Sequence, residues 1–274
     1  MLWFPHAKIN LGLAVLNKRK DGFHSIESLL HPIKLFDILE IIENQNSDNL
    51  EDELFLSGLS LDISTEENLV WKALQLLRKR FDFPSVKIHL HKQIPSGSGL
   101  GGGSSDAAHT LFAINQLFNL QISKNRLAEL ASEIGSDCPF FNENKSQYVK
   151  GRGELLESFE LNQKPLKLFL VIPDFSVSTQ RVYSKIKPKP NQKPPIEILK
   201  QPIKNWKTDL KNDFEEVVFK DFPLLSELKE ELYRRAALYV SMSGSGSGIY
   251  ALFSDEIKIQ LPENYTSYWM NFPY

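Results

Sequence analysis

Cysteine is nearly missing from this chain. Cys138 stands alone among 274 residues, so no intramolecular disulfide can form, and a reducing, cytoplasmic setting is expected. No apolar run approaches the roughly 20 residues that a membrane-spanning helix needs. The opening MLWFPHAKIN is interrupted by Pro5 and Lys8, too early for the apolar part of a secretion signal. Net charge is also scarce. With 32 basic and 34 acidic residues the balance is −2, which leaves no general footprint for nucleic acid.

What remains is ordinary for a globular protein: 42% hydrophobic and 24% charged residues, enough chain for one large domain or two ordinary ones. AKINLGLAVL reads as a strand, Asp21-Gly22 as a turn, and SIESLLHPIKLFDILEII as further strand. Apolar residues at 69, 70, 73, 74, 77 and 81 have helical spacing. VKIHLHKQI alternates with period two and sets Val86, Ile88 and Leu90 on one face. Next comes a helix burying Ala107, Ala108, Leu111, Phe112, Leu117 and Phe118. A second helix runs from a Ser123 cap to a helix-ending Gly135. GSDCPFF reads as a loop, with Pro139 biasing Cys138 towards extended geometry. LKLFLVIPD is a strand, and the stretch 187–202, with five prolines, a surface loop. DFEEVVFKDFPLLSELKEEL is helical with a break at Pro223, and ALYVSMSGSGSGIYALF is strand, glycine-serine loop, strand. A domain boundary is expected near 158–165.

The run PSGSGLGGGSSDAA, Pro95 to Ala108, packs five glycines and four serines into fourteen residues. A linker would need a polar run on each side, whereas this cluster joins a strand directly to a helix. A phosphate cradle suits that position, because the first amides of a helix lack partners and glycines let an anion approach them. Known cradles do not match. No lysine follows the glycines as a P-loop requires. Gly97, Gly99 and Gly102 fit G-x-G-x-x-G, but QLFNLQ, about 20 residues on, lacks the acid of a dinucleotide site. H-R-D and D-F-G are absent, as is G-x-S-x-G.

Taken together, His6-Ala7-Lys8-Ile9-Asn10-Leu11 (where P-A-K-I-N-L is usual), KDGFH, LGGGSS, GSDCPFF, NDFE at 212–215 and SMSGSGSG resemble the GHMP kinases, which include galactokinase, homoserine kinase and mevalonate kinase. The motifs fall in family order over roughly residues 7 to 253. The resemblance implies an α+β, two-lobed fold: an N-terminal ribosomal-S5-domain-2-like, ATP-binding lobe over 1–160, and a C-terminal ferredoxin-like lobe over 161–274. It implies an ATP-dependent kinase for a small-molecule cytidine diphosphate substrate on the non-mevalonate route to isoprenoids, with no nucleic-acid or membrane partner. Another acceptor (homoserine, mevalonate or a sugar) and a catalytically silent nucleotide-binding regulator stay open.

By the same resemblance, Pro95, Ser96, Gly97, Ser98, Gly99, Leu100, Gly101, Gly102, Gly103, Ser104 and Ser105 wrap the triphosphate of ATP. Ser104 is a candidate for a magnesium-bound oxygen, although both serines also suit helix capping. Asp137 is the proton acceptor and Lys8 its cationic partner, holding the aspartate ionised and steadying the alkoxide. Taken alone, Asp137 reads as a turn former and Lys8 as a strand-face lysine. Phe23, in place of the usual tyrosine, and Tyr183 would sandwich a cytosine, with His24 on its edge. Asn10 would reach the substrate hydroxyls, and Thr179 is a further substrate contact. Asn68 sits near adenine or caps a helix. Ser241–Gly248 closes the site or is a plain hairpin turn. His89 and His91 share a strand face with no further ligand in view, which points to a solvated face. Cys138 would report on the site if alkylated.

Overall fold

A computed structural model describes residues 1–45, 51–190 and 192–273. Residue 191 of the proline-rich stretch lies outside the described residues. The strands are β1 (Leu2–Trp3), β2 (His6–Lys18), β3 (His24–Phe36), β4 (Ile38–Glu43), β5 (Glu53–Gly58), β6 (Val86–Lys92), β7 (Gln147–Lys150), β8 (Leu155–Ser158), β9 (Leu166–Pro173), β10 (Tyr239–Met242), β11 (Ile249–Phe253) and β12 (Tyr265–Phe272). The helices are α1 (Leu69–Arg78), α2 (Gly102–Leu117), α3 (Lys124–Ile134), α4 (Thr179–Lys185), α5 (Pro195–Leu199), α6 (Trp206–Asp209), α7 (Glu215–Asp221) and α8 (Pro223–Arg234). Two compact units are formed, each from separated segments.

The first unit takes Met1–Ala7, Leu35–Ser96 and Gly101–Asn144. Its sheet has the order β1-β4-β6-β5, with β5 parallel to β6 and the other pairs antiparallel. The period-two pattern of β6 buries Val86, Ile88 and Leu90, and register sets Ile88 opposite Ile41 and Leu90 opposite Leu39. These residues share a core with Val70 and Leu74 of α1, Ala107 and Leu111 of α2, and Leu130 of α3. The Asn68 and Ser123 side chains cap α1 and α3, accepting from Val70 N and Arg126 N, so two orphan amides are satisfied. One expectation holds and another fails here. Gly135 ends α3 at φ −169°, extended backbone open to any residue; its smallness serves space instead, since a Cβ there would lie 3.2 Å from Cys138 Sγ. Cys138 is not extended but opens a 3-10 helix, Cys138–Asn142, with Pro139 in the first turn, where a missing N–H costs nothing.

The second unit takes Lys8–Lys34, Gly97–Leu100 and the chain from Lys145 onward. It holds two sheets, β2-β3-β7-β8 and the antiparallel β10-β11-β9-β12. Val171, Val240 and Ala251 pack with Val218, Leu225 and Leu232 in its core. β2 does not alternate: every residue from His6 to Val15 is buried. The stretch 187–202 is not wholly surface loop either, because α5 buries Pro195, Ile198 and Leu199. β12, absent from the sequence reading, pairs with β9 from Tyr265 opposite Pro173 to Phe272 opposite Leu166.

Candidate active site

The glycine cluster leaves β6 and enters α2 as its flanks require. Gly97, Gly99 and Gly101 have φ of +67°, +74° and +74°, the left-handed region that glycine tolerates. Gly101 is the N-cap of α2 and brings no side-chain cap, and the first turn holds no acid. The leading amides of this 16-residue helix therefore have no side-chain acceptor, a fit for a phosphate. A Cβ at Gly102 would meet Ile94 Cγ2 at 2.8 Å, whereas Gly103 is exposed with nothing nearer than 3.5 Å. In this unit Ser104 contacts Cys138, and Asp137 is half-buried in the turn before the 3-10 helix, with Ser136 Oγ 3.5 Å from its Oδ1. Burial pushes the Cys138 thiol up to about 12, against the Ser104 hydrogen bond. With its side chain enclosed as well, alkylation of Cys138 is not expected, contrary to the sequence reading. Asn68 caps α1 through Oδ1, while its buried Nδ2 has no partner among the described residues.

Behind α2 lies a buried triad that the sequence reading passed over. Lys92 continues the inward face of Val86, Ile88 and Leu90, and its Nζ donates to Asp37 Oδ2 and, at 2.6 Å, to Asp106 Oδ2. Asp37 Oδ1 also accepts from Gln93 N and Ile94 N at 2.6 and 2.9 Å. Burial would lower Lys92, but the two carboxylates hold it above its ordinary value. Burial pushes Asp106 up to about 8 despite the pull of Lys92. The segment that launches α2 is thus tied to β6 and to the β3–β4 junction.

In the second unit, Lys8 Nζ donates to Asn10 Oδ1 at 2.6 Å and to Gly99 O at 2.9 Å. Asn10 Nδ2 donates to Ser28 Oγ, which donates to Gly12 O, and Tyr250 OH donates to Asn10 O. Gly99 O and Ser28 Oγ thus orient two neighbouring polar side chains on one strand face. The Ser241–Gly248 motif joins β10 to β11 and bonds to the first glycine segment: Gly248 N donates to Ser98 O, Ser247 N to Gly97 O, and Ser243 Oγ to Gly99 O. It is a hairpin turn and a brace for Gly97–Gly99 together. NDFE also braces: Asn212 Nδ2 donates to Met242 O and Gly244 O, and Asp213 Oδ2 accepts from Val15 N.

The His24 ring stacks on Tyr183 with centroids 5.2 Å apart, and Tyr183 meets Phe214 edge-on. Burial, then Lys18, lowers His24, so its imidazole is neutral near pH 7. Phe23 is 54% exposed, with the Arg152 guanidinium 5.0 Å from its ring centre. Thr179 Oγ1 lies 2.7 Å from Ser245 Oγ. His89 and His91 both bond to Ser57 Oγ, and among the described residues no group of three or more His, Cys, Asp or Glu is placed to hold a metal ion.

Comparison with known proteins gives the same family that the motifs pointed to. The model for the GHMP kinases N terminal domain matches residues 68–142, and that for GHMP kinases C terminal matches 196–265. A 4-diphosphocytidyl-2-C-methyl-D-erythritol kinase of Bacteroides fragilis is 45% identical over 260 residues, 94% of each chain. The crystal structure of a 4-(cytidine 5'-diphospho)-2C-methyl-D-erythritol kinase superposes with a TM-score of 0.76 at 33% identity, covering 92% of this chain and 90% of that one. Homoserine kinase from Cytophaga hutchinsonii shares the fold, with a TM-score of 0.63 at 17% identity over 97% and 94% of the two chains. With its α+β architecture, its paired glycine motifs and these matches, the chain belongs to the GHMP kinase family.

Proposed function

We propose that this kinase transfers the γ-phosphoryl group of ATP to the 2-hydroxyl of 4-diphosphocytidyl-2-C-methyl-D-erythritol, on the non-mevalonate route to isoprenoid precursors. The observation that carries the reading is end-to-end likeness to relatives of that name, at 45% and 33% identity, against 17% to a homoserine kinase. Among the described residues no helix is long and apolar enough to cross a membrane, and we assign the enzyme to the cytoplasm. We keep 1–160 as the ATP-binding lobe and 161–274 as the C-terminal lobe, a division of the sequence that cuts through the second compact unit described above. In support, β8 ends at Ser158 and the next strand, β9, belongs to another sheet.

On this reading the amides of Gly101 to Ser104 bind the phosphates, and Pro95 to Leu100 set the approach to them. The uncapped start of α2 supports that role. ATP supplies the phosphoryl group, and Mg²⁺ would neutralise its charge, held by phosphate oxygens and water with few protein ligands, Ser104 or Ser105 among them. Asp137 takes the hydroxyl proton. Lys8, whose ammonium is aimed by Asn10 Oδ1 and Gly99 O, steadies the charge left on that oxygen. Neutral His24 reads the cytosine edge, Tyr183 and Phe23 offer ring faces, and Asn10 and Thr179 offer polar contacts. Asn68 is kept as the residue beside adenine, with a buried Nδ2 that lacks a partner among the described residues.

The test is direct. Purified protein with Mg-ATP and the cytidyl substrate should release ADP well above an ATP-only control, and homoserine, mevalonate and galactose should not replace the substrate. Asp137→Ala and Lys8→Ala should each lower kcat by about 100-fold or more while circular dichroism stays unchanged. Absence of ADP above the control sinks the assignment.

A further inference from the structure

We propose that Ser28, which lies outside the residues assigned above to nucleotide, substrate and catalysis, is a positioning residue for phosphoryl transfer. Its hydroxyl fixes which way the Asn10 amide faces, and through that amide it aims the Lys8 ammonium. The role rests on the kinase reading above. All the groups involved belong to the second compact unit.

Ser28 sits within β3, fully buried, with the same parity as the buried His24 and Ile26. β3 is the sheet neighbour of β2, the strand that carries Lys8 and Asn10, and both of those side chains are buried as well. Burying a hydroxyl costs free energy unless hydrogen bonds offset it, so the contacts of Ser28 account for its place. They have one direction only. Ser28 Oγ lies 2.5 Å from Gly12 O, and a carbonyl only accepts, so the single hydroxyl proton goes there. The hydroxyl oxygen then meets Asn10, 2.9 Å away, with lone pairs alone. Asn10 must answer with an N–H, which turns Nδ2 to Ser28 and Oδ1 away from it.

At the other end, Oδ1 accepts from Lys8 Nζ at 2.6 Å, and an ammonium only donates. A flipped amide would set oxygen against oxygen at Ser28 and N–H against ammonium at Lys8. Both contacts are repulsive, so the orientation is fixed at each end. Tyr250 OH holds the backbone oxygen of Asn10 and not its amide, so it cannot replace Ser28 in this role. Lys8 Nζ also donates to Gly99 O at 2.9 Å, and Ser243 Oγ bonds to that carbonyl as well. Two acceptors in fixed places aim an ammonium that one alone would leave free to swing. Removing the Ser28 hydroxyl frees the amide to turn, and with it one of these two acceptors.

The experiment has a spectroscopic arm and a kinetic arm, both on the full chain. In the first, asparagine is labelled with ¹⁵N, and Asn10→Ala identifies the Asn10 side-chain peaks. Nuclear Overhauser contacts from the Nδ2 protons should be stronger to the Ser28 Cβ protons than to the Lys8 Cε protons. In the second, Ser28→Ala should lower kcat about tenfold, because misplacing a catalytic group by about 1 Å can cost about 100-fold. KM for ATP should change by less than about twofold. In an Asn10→Ala background the same substitution should lower kcat by less than about twofold, since the amide through which it acts is gone. A role in packing alone would lower kcat by the same factor in both backgrounds. Circular dichroism checks folding, and the first arm needs no change at Ser28. The proposal is overturned if the Nδ2 protons contact Lys8 more strongly than Ser28, if Ser28→Ala keeps kcat within about twofold, or if its effect is the same with and without Asn10. Wild-type protein that shows no turnover sinks the kinase reading instead, and the spectroscopic arm still reads the link from Ser28 to Asn10.

Discussion

Two glycines of the proposed cradle hold their places for different reasons. Gly99 has φ +74°, and a Cβ there would lie 1.9 Å from Ser243 O. Its carbonyl also accepts from Lys8 Nζ and Ser243 Oγ, so displacement would disturb Lys8. Gly103 lies in the first turn of α2, exposed, with no left-handed φ and no crowding. Gly99→Ala should therefore cost about 2 kcal/mol or more in urea unfolding, through strain and collision. Gly103→Ala should keep or raise stability, because alanine favours a helix by about 0.5–1 kcal/mol over glycine. Steady-state kinetics should nonetheless show a raised KM for ATP with Gly103→Ala, since on the proposed reading the added methyl would stand where the phosphates approach. Equal stability losses, or an unchanged KM, would count against the cradle.

At the scale of elements, α2 is both the proposed phosphate helix and an element anchored by a buried ion network. Lys92 reaches it from β6, and Asp37 reaches Lys92 from the turn between β3 and β4. Removing one partner of a buried ion network leaves charge unpaired, so Lys92→Met should destabilise the fold by about 3–5 kcal/mol in chemical denaturation. A loss under about 1 kcal/mol would mean the triad is not formed. The strand, the helix and both side-chain caps were legible because periodicity and cap chemistry are local. The triad was only half legible: Lys92 shares the parity of Val86, Ile88 and Leu90, yet its acids lie 55 and 14 residues away in sequence. Cys138 was misread because a proline at the second position of a 3-10 turn looks the same, in sequence, as a proline after an extended residue. Lys8, Asp137 and His24 are candidates only through family resemblance; nothing local distinguishes them from a strand lysine, a turn aspartate and a turn-flanking histidine. β12 stayed hidden because pairing with β9, a non-local contact, defines it.

At the scale of the whole molecule, buried titratable groups set the response to pH. Burial holds His31 and His109 down to about 4, whereas an unfolded histidine titrates near 6.5. Between those values the unfolded chain binds more protons, so stability rises with pH, by about 1.4 kcal/mol per pH unit for each histidine. Asp106 works in the opposite sense. Its folded value, pushed up to about 8, lies above the roughly 3.9 of an unfolded aspartate, so its contribution shrinks as pH climbs from about 4 to 8. Two histidines outweigh one aspartate below pH 6.5, and only the aspartate acts above it. Unfolding free energy should therefore peak near pH 6.5, and Asp106→Asn should flatten the alkaline side while steepening the rise between about pH 4 and 6.5. A profile that keeps rising from 6.5 to 8 would contradict this assignment. The enclosure of Cys138 bears on the molecule from another direction. With its one native thiol shielded and protonated, the protein offers no competing sulfhydryl to a maleimide dye near neutral pH. A cysteine placed at Leu224, 58% exposed on α8, would take such a dye alone, and fluorescence could follow the chain through a catalytic cycle without any prior removal of native cysteine.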